Sequence, residues 1–166
     1  MVFDLDPGDG VDWPHIRDAA RQVRARLQRD GLTAYVRTTG GKGVHVVLPL
    51  RPALPWDQVR NFARQVAESM VADEPQRYVA SASKQLRAGR IFIDYLRNGR
   101  GATSIASFSL RARPGAPVAM PLRWEELDRV KSGSAFHLQN TRARLRRLNA
   151  HPWQGIDMLE QGLPDR

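Results

Sequence analysis

The sequence predicts an α+β fold built on the split β-α-β-β-α-β order of ferredoxin-like and RNA-recognition domains. Two observations predict it. Short apolar segments of strand length alternate over residues 2–96 with two longer segments whose apolar residues recur at helical spacing. A glycine-rich turn joins the second and third short segments directly, which is typical of a hairpin. With 166 residues, 42% of them hydrophobic, the chain is long enough to bury a core.

The first half of this pattern is strand, helix, strand. Residues 2–6 (VFDLD) predict the first strand, because apolar and acidic residues alternate. A helix should follow, with Asp12 as its N-cap, Pro14 in its first turn and Gly31 as its stop. Residues 32–38 (LTAYVRT) predict the second strand. The apolar face of the first helix consists of Trp13, Ile16, Ala20, Val23 and Leu27.

The second half is strand, helix, strand. Residues 44–50 (VHVVLPL) predict the third strand, and a second helix should begin near Pro55. Residues 91–96 (IFIDYL) predict the fourth strand. In the split order the first strand lies between the third and the fourth. The apolar face of this helix consists of Val59, Phe62, Ala63, Val66 and Met70.

The remaining residues predict smaller elements. A fifth strand is expected over residues 103–108, a short helix over residues 124–130 and a basic helix over residues 141–148. We expect residues 1–153 to form the domain and residues 154–166 a frayed tail or a linker.

Three acids carry the most specific chemical signal. Asp4 and Asp6 lie two residues apart on a strand, so their carboxylates share one face of the sheet. The strand order places them beside Asp94 on one side and His45 on the other. Adjacent carboxylates repel each other, and a divalent cation with oxygen ligands, Mg²⁺ or Mn²⁺, removes that cost.

Each acid also has a plain structural interpretation. Asp4 and Asp6 are then solvated acids at the edge of a strand, or N-caps of the next helix. Asp94, in an otherwise apolar strand, is then neutralised by Arg97 or Arg90 as a structural ion pair. Three acids predicted to meet at one place favour the metal site.

The glycine-rich turn is the second feature. Gly40, Gly41 and Gly43 allow backbone N–H groups to face an anion closely, and Thr39 and Lys42 add a hydroxyl and a positive charge. The alternative is an ordinary glycine hairpin with a half-buried histidine. The spacing is not that of a P-loop, and this turn joins strand to strand.

Charge points to a polyanionic partner. Lys and Arg number 26 against 17 Asp and Glu, for a net charge of +9. The alternative is a basic protein whose charges are merely solvated, which suits Arg142, Arg144, Arg146 and Arg147 well. The arginines expected near the acids are Arg87, Arg90, Arg97, Arg100, Arg111 and Arg113.

Composition excludes several other classes. The absence of cysteine excludes disulfides, zinc-thiolate sites and cysteine nucleophiles. No apolar run reaches about 18 residues, so no membrane span is expected. The N-terminus lacks the features of a secretory signal. We therefore expect a cytoplasmic protein with no membrane partner.

Several blocks of sequence together resemble a known family. VFDLDPG, TTGGKGVHVVLPL, SASKQLRAGRIFIDYLRNGRGATSIASFSLRARPGAPVAMPL and HPW are similar to blocks of the polymerase domain of bacterial ATP-dependent DNA ligase D. That domain belongs to the archaeo-eukaryotic primase superfamily. The similarity runs from Val2 to about Trp153, with the blocks in family order and spacing.

The resemblance implies a role for each matching residue. Asp4, Asp6 and Asp94 match the acids that hold two Mn²⁺ or Mg²⁺ ions. Arg97 matches a position near the nucleotide that is either Arg or Gln. The residues that match the triphosphate-binding block are Thr39, Gly40, Gly41, Lys42, His45 and Arg111; the family often has Ser where Thr39 stands. Lys84 and Arg87 match a mobile active-site loop.

The resemblance also implies an activity and partners. The activity is template-dependent addition of nucleotides, preferentially ribonucleotides, to DNA 3′ ends in bacterial non-homologous end joining. The implied partners are nucleoside triphosphates, primer–template or broken DNA ends, ligase and phosphoesterase modules and an end-binding Ku-type protein. The family domain has a substantial portion before the D-x-D strand, and we expect this chain to lack it and to extend primers poorly by itself.

Two other functions compete with this one. A non-catalytic module, or an inactive fragment of such a polymerase, would bind nucleotide or nucleic acid through an RNA-recognition-like sheet, but such sheets present aromatic residues rather than acids. A phosphatase of the haloacid-dehalogenase type would explain DLDP. That chemistry needs a parallel sheet, and the hairpin over residues 32–50 and the Pro7-Gly8 sequence argue against it.

Overall fold

Six strands of the described part of the chain form one sheet. The computed structural model describes residues 1–52 and 54–164. Among them the strand order is β4-β5-β1-β3-β2-β6, and every pair is antiparallel except the parallel pair β4–β5. The strands are β1 (Val2–Pro7), β2 (Tyr35–Thr38), β3 (Val44–Val47), β4 (Tyr78–Val79), β5 (Ile91–Asp94) and β6 (Pro121–Leu122).

The position of β1 confirms the predicted strand order. It lies between β3 and β5, the strand expected as the fourth. The register places Asp4 opposite His45 on β3 and opposite Asp94 on β5. The antiparallel neighbours on both sides of β1 are incompatible with the parallel sheet of a haloacid dehalogenase.

Two helices close the apolar side of the sheet. They are α1 (Trp13–Arg29) and α2 (Trp56–Asp73), and both contribute to one core with Phe3 and Leu5 of β1. As predicted, the Asp12 side chain caps α1, accepting a hydrogen bond from the backbone N–H of His15 at 3.1 Å. Burying alternate β1 residues in this core leaves the acids on the opposite face of the sheet.

Several smaller elements differ from expectation. Residues 103–108 do not form a strand, because a turn carries a hydrogen bond from Ser109 N to Ala106 O and Phe108 has φ of +66°. The strands β4 and β6, two residues each, were not predicted, since so short a segment shows no periodicity. The expected helix over residues 124–130 is one 3₁₀ turn, Trp124–Glu126, and the basic helix α3 spans Leu138–Arg147.

The segment after Trp153 is docked rather than frayed. Gln161 is only 9% exposed, and its amide donates to Thr33 O at 2.8 Å and Pro49 O at 2.7 Å. Its backbone carbonyl accepts from Arg51 N at 3.0 Å. One polar side chain thus fastens the tail to the ends of the hairpin strands, which the polar sequence did not reveal. Residues 165 and 166 of the predicted tail lie outside the described residues.

In the ranges 1–52 and 54–164, each helix falls short of the combined length and apolarity that crossing a membrane would require.

Candidate active site

The polar face of the sheet carries a group of buried ionisable side chains. Asp4 and Asp94 are 7% and 6% exposed, and His45 and Arg37 are 2% and 6% exposed. Asp6 is half-buried at the end of the same row. Burying charge is costly unless it is paired or binds a metal ion, so this arrangement marks a candidate active site.

A cavity of about 650 Å³ opens over this face. It has acids at its base and cationic side chains around them, an arrangement that suits an anionic ligand carrying a metal ion. The predicted site residues that line it are Asp4, Asp6, Thr39, Gly41, Lys42, His45, Arg87, Arg97 and Arg111. The cavity is also lined by Arg113 and by the segment Thr103–Ser104–Ile105.

Three predicted site residues lie outside the lining that the described residues form. Asp94 is buried beneath it, next to Asp4. Gly40 is buried in the turn, where its φ of +66° suits glycine. Lys84 begins a 3₁₀ turn (Lys84–Leu86) and is exposed to solvent.

Arg97 lies between two of the three acids. Its Nε is 3.0 Å from Asp94 Oδ2 and 3.5 Å from Asp4 Oδ2. Asp94 Oδ1 accepts a hydrogen bond from Leu96 N at 2.9 Å. As the side chains stand, no three carboxylate or imidazole groups of the described residues surround one point closely enough to hold a metal ion.

The acids nevertheless fit a divalent cation. Asp4 Oδ1 is buried and receives no hydrogen bond from the described residues, and His45 Nε2 lies 3.3 Å from it outside hydrogen-bond geometry. Burial is the largest cause that raises the pKa of Asp6, and the negative charges of Asp4 and Asp94 raise it further. Burial also raises the pKa of Asp94, against the opposing charge of Arg97. A divalent cation bound by these carboxylate oxygens would stabilise the charged forms of Asp6 and Asp94, and so would oppose the rise in both pKa values.

The glycine turn is held by its threonine. The Thr39 hydroxyl donates to Gly43 O at 3.1 Å and accepts from Gly41 N at 3.1 Å. Gly43 has no room for a side chain, since a Cβ there would lie 2.0 Å from Leu5 O. Lys42, 74% exposed, extends from the turn into the cavity wall with its Nζ 3.8 Å from Asp9. The turn therefore presents an exposed positive charge on a backbone that the Thr39 side chain holds by hydrogen bonds.

Arg37 is a site residue that the sequence interpretation missed. It lies opposite His45 in the β2–β3 pair, and its Nε and Nη2 are 3.2 and 3.0 Å from His45 Nδ1. Burial lowers the pKa of Arg37 to about 10, against the opposing charge of Asp4, so the guanidinium stays charged at neutral pH. The period of two along β2, applied across the hairpin from His45, was the signal that would have found it.

Arg87 lies at the other side of the cavity. Its guanidinium stacks on the Phe92 ring at 3.9 Å and donates to Ala82 O at 2.7 Å. The same loop passes so close to β1 that a Cβ on Gly8 would lie 1.7 Å from Arg87 O. The loop that carries Arg87 is thus packed directly against the strand that carries the acids.

Comparison with known proteins agrees with this geometry. The family model described as "LigD, primase-polymerase domain" matches residues 1–153. The multifunctional non-homologous end joining protein LigD of Pseudomonas aeruginosa is 38% identical over 154 residues, which are 92% of this chain and 18% of that protein. The protein of the same name from Mycolicibacterium smegmatis is 38% identical over 127 residues, or 76% of this chain and 17% of that protein.

A solved structure shares the fold. It is the polymerase domain from Mycobacterium tuberculosis ligase D in complex with DNA, with a TM-score of 0.87 and 32% sequence identity. The match covers 97% of this chain and 55% of that one. The α+β fold is thereby confirmed. The chain spans about a fifth of the length of the curated relatives it matches.

Proposed function

The chain belongs to the family of LigD primase-polymerase domains, and on that premise we propose that it is the catalytic core of a nucleotidyltransferase that extends DNA 3′ ends in non-homologous end joining. The observation that carries the proposal is the register of β1, which sets Asp4 opposite both Asp94 and His45 at the base of a cationic cavity. Residues 1–153 form the proposed core. A bacterial cytoplasm is the proposed setting.

Asp4, Asp6 and Asp94 would hold the divalent ions of this reaction. Bound there, two Mn²⁺ or Mg²⁺ ions would supply a lowered pKa for the primer 3′-hydroxyl and neutralisation of the leaving pyrophosphate. Arg97 would give up its place between Asp4 and Asp94 and turn toward the nucleotide. Its side chain, 39% exposed, has room to do so.

The glycine turn and its neighbours would bind the triphosphate. Lys42 contributes a point charge, His45 a ring N–H, and the Gly40–Gly41 backbone keeps bulk away from the anion. Thr39 acts mainly by holding the turn, since its hydroxyl already bonds Gly43 and Gly41. Arg111, whose side chain packs against Gly40 of the turn, also lines the cavity, and the Lys84–Arg87 loop would adjust when substrate arrives.

Substrates and partners follow from the family. We propose nucleoside triphosphates, with ribonucleotides preferred, and primer–template or broken DNA ends as substrates. We propose ligase and phosphoesterase modules and an end-binding Ku-type protein as functional partners. The net charge of +9 supports a polyanionic partner of this kind.

Nucleotide transfer tests the proposal. A gapped primer–template is incubated with Mn²⁺ and a ribonucleoside triphosphate, and extension is followed on a gel for the wild type, Asp4→Asn and Asp73→Asn. Asp73 is an exposed acid that pairs with Arg26, so its variant is the control. Template-directed extension by wild type and control, weak as expected for this chain by itself but abolished in Asp4→Asn, supports the function. Equal extension by all three proteins would refute the assigned site, and metal-independent nucleotide binding without extension would favour a non-catalytic module.

A further inference from the structure

We infer that Arg37 is a positioning residue: it fixes His45 as the tautomer that carries its proton on Nε2, so that the ring presents only a donor to the cavity. The tautomer depends only on contacts within the chain and not on any ligand. Its consequence for triphosphate binding rests on the proposed function. Arg37 is not among the residues to which the family resemblance gives a role.

The geometry of the pair determines the tautomer. Two guanidinium nitrogens of Arg37, Nε and Nη2, approach His45 Nδ1 at 3.2 and 3.0 Å. A guanidinium has donors only, so Nδ1 must accept and carries no proton. The proton of the neutral ring is therefore on Nε2. Turning the ring over would set a carbon against both nitrogens, so that each would lose its histidine acceptor in a buried place.

Arg37 is itself held in position. Its backbone lies in β2 directly opposite His45, and its guanidinium lies over the Trp153 ring at 5.9 Å. Nη1 donates to Ser107 Oγ at 3.3 Å, and Nη2 donates to Ser104 Oγ at 3.4 Å. The side chain is 6% exposed, so water competes little for these bonds. The donor that orients the histidine is thus pre-organised.

The tautomer decides what His45 is able to bind. With Nδ1 occupied, only Nε2–H faces the cavity, where Asp4 Oδ1 lies 3.3 Å away. A ring N–H suits an anion, such as a phosphate oxygen or the Asp4 carboxylate. A metal ion needs an unprotonated ring nitrogen, so this tautomer excludes His45 from the ligands of a divalent cation. Arg37 therefore assigns His45 to the phosphate rather than to the metal.

Nuclear magnetic resonance measures the tautomer directly. The ¹⁵N shifts of both His45 ring nitrogens are recorded at one neutral pH in the wild type and identified by their loss in His45→Asn. The expected pattern is an unprotonated Nδ1 and a protonated Nε2. Arg37→Gln should move the pattern toward a mixture, because a glutamine amide both donates and accepts, whereas Arg37→Lys, a donor only, should restore it. The control is Arg24→Gln, since Arg24 also lies over a tryptophan, Trp124, at 4.7 Å but away from the cavity.

Calorimetric binding of a nucleoside triphosphate with Mg²⁺ adds the functional comparison. Loss of a residue that orients a metal-ligating histidine typically costs on the order of ten- to a hundredfold in metal affinity, and we expect a loss of the same order in triphosphate affinity for Arg37→Gln. Arg37→Lys should bind within a few-fold of the wild type and Arg24→Gln should equal it. A wild type that binds no triphosphate would refute the proposed function and leave the tautomer measurement to decide the present inference. A proton on Nδ1 in the wild type, or an unchanged tautomer in folded Arg37→Gln, would overturn it; if Arg37→Gln fails to fold, loss of the tautomer in Arg37→Lys would do so.

Discussion

Asp4 and Asp94 lie directly opposite each other on neighbouring antiparallel strands, and one nitrogen of Arg97 bridges them at 3.5 and 3.0 Å. Both carboxylates are buried, so the guanidinium supplies the positive charge that this pair requires. The same place is where a divalent cation would act in the proposed reaction. Arg97 and the metal are therefore expected to compete for the same two carboxylates.

Arg97→Ala should reveal this competition. In chelator, the variant should lose about 1 kcal/mol of unfolding free energy, at the upper end for a partly exposed ion pair. Saturating Mn²⁺ should stabilise the variant more than the wild type, because no arginine has to be displaced. Urea unfolding with and without Mn²⁺ measures both effects. Arg21→Ala is the control, since Arg21 is equally exposed at 39% but pairs with the exposed Asp128. Equal Mn²⁺ stabilisation of wild type and Arg97→Ala would contradict the competition.

Gly43→Ala should disrupt the hairpin that carries the turn. A Cβ at this position would lie 2.0 Å from Leu5 O, so β1 and β3 would have to separate. We expect a loss of roughly 3 kcal/mol in unfolding free energy, typical of severe overpacking. Thermal unfolding tests this, with Gly162→Ala as the control because a Cβ at Gly162 would meet no atom of the described chain within 4 Å. A variant as stable as the control would show that the strands tolerate separation.

Lys42→Ala should weaken triphosphate binding while leaving nucleoside binding unchanged. The lysine lies on the cavity wall, and the one ion pair that its Nζ makes within residues 1–52 and 54–164 is a long 3.8 Å contact with the exposed Asp9, so its charge is available to a phosphate. Loss of a charge-assisted contact should cost roughly 1.5–3 kcal/mol. Calorimetry with Mn²⁺ compares Lys42→Ala with Lys131→Ala, which removes an exposed lysine outside the cavity lining. Unchanged triphosphate affinity in Lys42→Ala would remove this residue from the site.

Stability should depend on pH through Glu126 and Arg144. Burial opposes the charged form of Glu126, but hydrogen bonds from the Arg144 side chain and the Arg123 backbone outweigh it and lower the pKa. Because the folded pKa lies below the unfolded value of 4.5, this stabilisation is present above pH 4.5 and is lost as the pH falls through the folded pKa.

Glu126→Gln tests the sign. At pH 7 the variant should lose roughly 1.5–3 kcal/mol of unfolding free energy, as for a hydrogen bond to a charged group. The difference from wild type should shrink as the pH falls below 4.5, which denaturant unfolding at several pH values measures. Glu160→Gln, at an exposed carboxylate near Arg51, should change little at any pH. A Glu126→Gln deficit that grows at low pH would contradict the assignment.

The central strands were predictable because sequence pattern and topology agree. In β1, apolar Phe3 and Leu5 alternate with acids, and the split order then placed Asp94 and His45 beside Asp4. The sequence left open whether Asp94 meets a metal or Arg97. The choice of partner depends on side-chain positions after the chain turns at residues 96–98, which no periodicity encodes.

Three other features could not be predicted from the periodicity of the sequence. Arg37 resembles an outward-facing polar residue of a strand until the hairpin register sets it against His45. The error at residues 103–108 has a local cause, since the sequence SIASF favours extended backbone while Phe108 adopts a left-handed conformation. Gln161 docks the tail through partners more than a hundred residues away. Long-range contacts thus place Arg37 and Gln161, whereas the error at residues 103–108 comes from local backbone conformation.

The most direct test of the proposed metal site is a titration with Mn²⁺ followed by electron paramagnetic resonance, in which the signal of free Mn²⁺ falls as the ion binds. It is performed on the wild type, Asp4→Asn, Asp94→Asn and the control Asp73→Asn, each with and without a nucleoside triphosphate. The account predicts that wild type and control bind Mn²⁺ and bind it more tightly with triphosphate, and that Asp4→Asn and Asp94→Asn each weaken binding at least tenfold, about 1.4 kcal/mol. Equal Mn²⁺ affinity in Asp94→Asn and Asp73→Asn would contradict it, because Asp94 would then be only the ion-pair partner of Arg97.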